Sequence, residues 1–194
     1  MTPEELNAYW TRQFPECPPV GYLLKHLYKD RCARFCALDN GRSYPETEAD
    51  SRALCERLNA LLEHLFESEA RIVLITTMPS ELETPPRDAP GFLNFDPEGR
   101  FLHSLGMHEF ELEFATPSYW HLFMSSRDYT YGVLDSVLRA SSEYPAQSGV
   151  LNTIVLGPAT RRLFYVYPGG CDVVMESALK RDQLADRFAD WSVR

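Results

Sequence analysis

A long amphipathic helix that runs almost directly into an unbroken β-branched strand sets the tightest limit on what this chain can fold into. From about Thr47 to Glu67, Leu54, Leu58, Leu61, Leu62, Leu65 and Phe66 recur at the i, i+4, i+7, i+8 spacing of one helical face. Thr47 followed by Asp50 reads as its N-terminal cap, with an acid at the third helical position. The run "RIVLITTM", residues 71 to 78, follows with no alternation between apolar and polar positions. A strand of that kind has to be covered on both faces and therefore lies inside a sheet. Helix and strand together dictate a layered domain with a sheet at its centre.

The other segments extend that sheet. Residues 4 to 14 and 20 to 29 read as short helices separated by Cys17-Pro18-Pro19, and "RCARFCALD", 31 to 39, as a strand. That strand places Cys32, Arg34, Cys36 and Leu38 on one face and Ala33, Phe35 and Ala37 on the other. "HEFELEF", 108 to 114, alternates strictly and is expected to pair antiparallel with "SYWHLFMSS", 118 to 126. A helix over about Tyr131 to Ser141 comes next. It is followed by a meander, "LNTIVLGP", "RRLFYVY" and "DVVMES", and a closing amphipathic helix with Leu179, Leu184, Phe188 and Trp191. Between Pro79 and Gly106, five prolines and three glycines interrupt every candidate period, which predicts a long irregular loop. The expected fold is a single α+β domain over residues 1 to 194, with a mixed, largely antiparallel sheet of six or seven strands and helices packed on it.

Charge narrows the class of partner. The formal net charge is −9, and residues 79 to 114 alone hold eight acids against Arg87 and Arg100, a balance of −6. That disfavours nucleic acid and anionic lipid, whose phosphates need clustered Lys and Arg, and permits a basic protein partner. The longest aliphatic run, Ile72 to Ile75, is far short of the roughly 20 residues that span a bilayer. The first residues, "MTPEELNAYW", carry acids where a signal peptide carries bases. Five cysteines with no C-x-x-C pair argue for reduced thiols, and with the missing leader they lead to the expectation of a cytoplasmic protein.

No catalytic signature is present. The five histidines form no H-x-x-x-H pair, there is no G-x-S-x-G elbow, and neither Gly-rich phosphate motif occurs, so no catalytic residue, metal or cofactor is expected. Two features remain as candidate sites. Glu109, Glu111 and Glu113 project together from one strand face, spaced roughly 7 Å apart, as a surface able to meet a basic cleft. Arg34 lies on an otherwise apolar face, where a guanidinium needs a carboxylate or a ligand, Asp172 being one such partner. Near it, "VYPGGCD" reads as a hairpin whose two glycines supply positive φ angles.

The segments "PPVGYLLK", "RFCALDNGRSYPET", "LNALLEHLFESEARIVLIT", "YWHLFMSS", "RRLFYVYPGGCDVV" and "RDQLADRFADW" in that order resemble the bacterial family catalogued as domain of unknown function 3885. The resemblance implies a compact bacterial α+β domain and brings no activity or catalytic residues with it. Arg34, Tyr167, Gly169, Gly170 and Asp172 match its pattern. The function expected is a non-catalytic protein-binding module, in its most specific form an immunity-type inhibitor, using Glu109, Glu111 and Glu113 against a basic partner. The alternative is an enzyme or small-molecule binder with Arg34, Tyr44, His121, Tyr167, Gly169, Gly170 and Asp172 around the turn. A third possibility, a homodimer, would show as an exposed apolar patch at Tyr119 and Trp120.

Overall fold

The computed structural model describes residues 1–85, 96, 98–106, 119–142 and 152–193. The helices are α1 (Pro3–Gln13), α2 (Gly21–Leu27), α3 (Glu48–Phe66), α4 (Asp135–Ser142) and α5 (Ala178–Arg187). The strands are β1 (Cys32–Cys36), β2 (Arg71–Ser80), β3 (Arg100–Gly106), β4 (Tyr119–Asp128), β5 (Asn152–Gly157), β6 (Arg162–Tyr167) and β7 (Gly170–Val174). They form one seven-stranded sheet in the order β1-β7-β6-β5-β2-β4-β3, and every neighbouring pair is antiparallel. The fold is α+β, as the patterning predicts.

Alternation along the strands builds two cores. Ile72 and Leu74 of β2, Val155 of β5, Phe164 and Val166 of β6 and Val173 of β7 point to the face covered by Leu58, Leu62 and Phe66 of α3 and Leu138 of α4. Val73 and Ile75, Ile154 and Leu156, Leu163 and Val174 point to the opposite face, against Leu6 and Trp10 of α1 and Leu24 of α2. This is why β2 reads as a continuous apolar run: each of its faces meets a different helical layer. Among the described residues no helix is long and apolar enough to cross a membrane.

The start of α3 forms as its sequence predicts. Thr47 Oγ1 accepts from the Asp50 amide at 3.1 Å and Asp50 Oδ2 accepts from the Thr47 amide at 3.1 Å, a reciprocal capping box. Arg42 donates both Nη atoms to the same carboxylate, and that hydrogen bonding, with Thr47, holds Asp50 well below the usual carboxylate range. Thr47→Ala is expected to cost about 1 kcal/mol, which thermal unfolding would read as a fall of roughly 2–4 °C. No fall would mean that the Arg42–Asp50 pair alone fixes this terminus.

Several expectations need correction. Residues 100 to 106 form β3 inside the stretch expected to be irregular throughout, because no proline falls between Gly99 and Gly106 and a strand fits there. The strand expected at 108 to 114, with Glu109, Glu111 and Glu113, lies outside the described residues. The partners of Tyr119–Met124 are β2 on one side and β3 on the other. Regular helix begins at Asp135 rather than Tyr131, after a turn in which Gly132 has a φ of +78°. Leu179 is exposed rather than on the buried side of α5. Of the two residues expected in an exposed apolar patch, Trp120 is buried, its ring in a T-shaped contact with Tyr22, and Tyr119 is half-buried.

Candidate functional site

The Arg34 region is assembled by strand register. β1 pairs with β7 so that Arg34 faces Asp172 and Cys36 faces Gly170, and β7 pairs with β6 so that Asp172 faces Tyr165 and Gly170 faces Tyr167. In an antiparallel ladder, residues directly opposite share a face. Arg34, Asp172, Tyr165 and Tyr167 therefore stand together on the α1–α2 side.

The cluster is tightly bonded. Arg34 Nε donates to Asp172 Oδ1 at 2.8 Å and Nη2 to Oδ2 at 3.0 Å, a two-point fork. Tyr167 Oη donates to Asp172 Oδ1 at 3.1 Å, and the Arg34 guanidinium carbon lies 5.6 Å from the centre of the Tyr167 ring. Burial, with the Asp172 charge second, raises the Tyr167 hydroxyl pKa, so the hydroxyl stays protonated and keeps donating. Donating these hydrogen bonds to Asp172 likewise raises the pKa of Arg34. Asp172 is 1% exposed while Arg34 is 41% exposed, so the carboxylate is sealed beneath a guanidinium that still reaches solvent. Of the five N–H donors of an arginine, Asp172 takes two, which leaves three unengaged among the described residues.

Arg34 lines an open hollow of about 290 Å³ together with Lys25, His26, Lys29, Cys32 and Asp172. Lys25 belongs to α2 and Lys29 follows its C-terminal end, and neither ammonium has an ion-pair partner among the described residues. Cys32 is pushed up to about 12, mainly by burial and next by Asp172, so its thiol is uncharged and unreactive. With Asp172 neutralised by Arg34, the hollow presents two ammonium groups and the outer edge of a guanidinium. Positive charge is thus concentrated at one place on an acidic chain. Sequence reasoning missed Lys25 and Lys29, because bases at the end of a short helix look like an ordinary solvated face.

The Gly-Gly hairpin borders this region and its two glycines serve different ends. Pro168 and Gly169 form the two-residue turn, and Gly169 alone has positive φ, +90°, as the third position of a type II turn requires. Gly170 already belongs to β7, and a Cβ placed there would lie 2.2 Å from the Phe35 carbonyl oxygen, so Gly170 is needed for close approach rather than for its φ. The expectation that both glycines adopt positive φ is corrected accordingly. The Ala37 amide donates to the Gly169 carbonyl at 3.0 Å, tying the turn to the end of β1.

Of the residues expected around the turn, Arg34, Tyr167, Gly169, Gly170 and Asp172 come together. Tyr44 follows Ser43, whose Cα would be 3.0 Å from a Cβ on Gly169, and is exposed. His121 lies on β4, with β7, β6, β5 and β2 between it and β1, and does not belong to the cluster. It is buried, with Nδ1 2.8 Å from Ser104 Oγ, and burial lowers its pKa. Among the described residues no three His, Cys, Asp or Glu side chains gather as a metal site would need.

Sequence comparison bears out the family resemblance described above. The pattern of the family described as Domain of unknown function (DUF3885) matches residues 20–194, and the chain belongs to that family. No curated protein and no solved structure matches it.

Proposed function

We propose that this member of the DUF3885 family is a non-catalytic binding module that holds a carboxylate-bearing segment of a partner protein in the hollow beside Arg34. The observation that carries this reading is the division of labour at the cluster: Asp172 is bonded by Arg34 and Tyr167, while Lys25, Lys29 and the half-exposed Arg34, with three donors unengaged among the described residues, line one hollow. A guanidinium fixed from behind by a buried carboxylate keeps its orientation without a ligand. It therefore loses little side-chain freedom when a second carboxylate arrives. Flanking ammonium groups add attraction that salt should screen over about 10 Å at 0.1 M.

A hexaglutamate peptide is the direct probe. It is expected to bind in a calorimetric titration at low salt, to weaken as salt is raised, and to lose roughly tenfold in affinity in the Lys25→Gln/Lys29→Gln variant, about 1.4 kcal/mol. Neither lysine has an ion-pair partner among the described residues, so the variant should unfold at the wild-type temperature. A peptide that fails to bind, or binds both proteins equally, overturns the reading.

A second reading rests on charge alone. Residues 79 to 114 carry −6 of the net −9, which suits an immunity-type inhibitor presenting Glu109, Glu111 and Glu113 to a basic partner. The two readings call for partners of opposite charge at the contact, and so one experiment separates them.

A further inference from the structure

A second cavity lies on the same face of the sheet, between α1 and the β2–β3 region. Its volume is about 300 Å³ and its interior is formed by Leu6, Trp10, Phe14, Ile75, Leu102 and His103. That size is at the lower end of ligand pockets and suits a single substituted ring. Leu102 and His103 are consecutive residues of one strand, and simple alternation would send them to opposite faces. The ladder between β3 and β4 shifts register between Phe101 and His103, and this bulge turns both side chains into the cavity.

The chemistry of the walls narrows the ligand. Trp10 and Phe14 supply aromatic surface, with ring centres 4.9 Å apart and tilted by 41°. The Trp10 indole N–H is spent on the Cys17 carbonyl at 2.6 Å, and the Cys17 thiol is directed at the Pro18 carbonyl at 3.2 Å. Burial pushes that thiol up to about 12, and burial also lowers His103, so both are uncharged at neutral pH. The His103 ring makes no hydrogen bond among the described residues and is left with one donor and one acceptor nitrogen. Among the described residues Glu16, which is exposed, is the sole charged one lining the cavity, which disfavours an anion, and no buried acid lines it among them to neutralise a cation.

We propose that this cavity binds a small neutral aromatic molecule bearing one hydroxyl group, of the size of a substituted phenol, whose hydroxyl pairs with the imidazole of His103. The site is separate from the Arg34 hollow and does not depend on the function proposed for it. One wall, Leu6 to Pro19, lies N-terminal to the family match, whereas Ile75, Leu102 and His103 lie within it. The complete pocket is therefore a property of this chain with α1 in place.

The test uses p-cresol, toluene and benzylamine as probes of the full chain, followed through methyl resonances of Leu6 and Ile75. p-Cresol is expected to shift both residues saturably, with toluene roughly tenfold weaker because it lacks the hydroxyl, and benzylamine weaker still. His103→Leu should bring p-cresol and toluene to within about twofold of each other, and Leu102→Trp should fill the cavity and weaken both by at least roughly tenfold. Absence of a saturable shift with p-cresol, equal wild-type affinity for p-cresol and toluene, or tighter binding of benzylamine than of p-cresol overturns the proposal. Each of those outcomes is read on the wild-type protein, so it stands even where a variant fails to fold.

Discussion

Gly170→Ala is expected to destabilise the domain by about 3 kcal/mol, a fall in unfolding midpoint of roughly 6–12 °C for a chain of this size. The sign is what makes the result informative. In an open strand position alanine is favoured over glycine, because glycine loses more backbone freedom on folding. Here the new Cβ would lie 2.2 Å from the Phe35 carbonyl oxygen, an atom of the neighbouring strand's backbone that no rotamer change can move aside. The β1–β7 ladder must open, and with it the register that sets Arg34 opposite Asp172. Gly41→Ala is the comparison: φ is +66° but nothing lies within 4 Å of the added carbon, so only left-handed strain remains, about 1 kcal/mol. If Gly170→Ala instead stabilised the protein, the close approach of β1 and β7 would be wrong.

Arg34→Met is expected to cost about 4 kcal/mol, because it leaves the carboxylate of Asp172, 1% exposed, with the Tyr167 hydroxyl as its one side-chain partner among the described residues. Most of that loss comes from stranding a buried charge. A second substitution that removes the charge should therefore recover it. In Arg34→Met/Asp172→Asn, chemical denaturation should return at least about half of the stability lost, whereas two independent losses would add. A cost below about 0.5 kcal/mol for Arg34→Met would place this pair among exposed ion pairs of little energetic weight, and the guanidinium would not be held in place. Lys25 and Lys29 contribute nothing comparable to stability, so substitutions there test binding without disturbing the fold.

The parts of this architecture that local pattern controls were legible in the sequence. α3 shows both its apolar stripe and its capping box in Thr47 and Asp50, and β1 shows its two faces in the alternation of Ala33 and Phe35 with Cys32, Arg34 and Cys36. The meander of β5, β6 and β7 follows from two short turns. Pairing between distant strands was not legible, because a period of two assigns faces without naming partners. β3 escaped notice because its bulge breaks the alternation between Phe101 and His103, the same feature that aims two residues into the α1 cavity. Of the Arg34 site, the need for a carboxylate was visible and Asp172 a reasonable partner. The hollow was not visible, since it depends on the end of α2 lying over β1 and β7 and on Gly170 drawing β1 close.

The most direct test of the central claim is capture of a protein partner from source-cell lysate at low and high salt with three baits: wild type, Lys25→Gln/Lys29→Gln, and a variant with Glu109, Glu111 and Glu113 all changed to Gln. The expected result is an acidic, salt-sensitive partner that is lost with the lysine variant and retained by the glutamate variant. A basic partner lost with the glutamate variant and retained by the lysine variant would contradict it, and would move the functional surface from the Arg34 hollow to the acidic stretch.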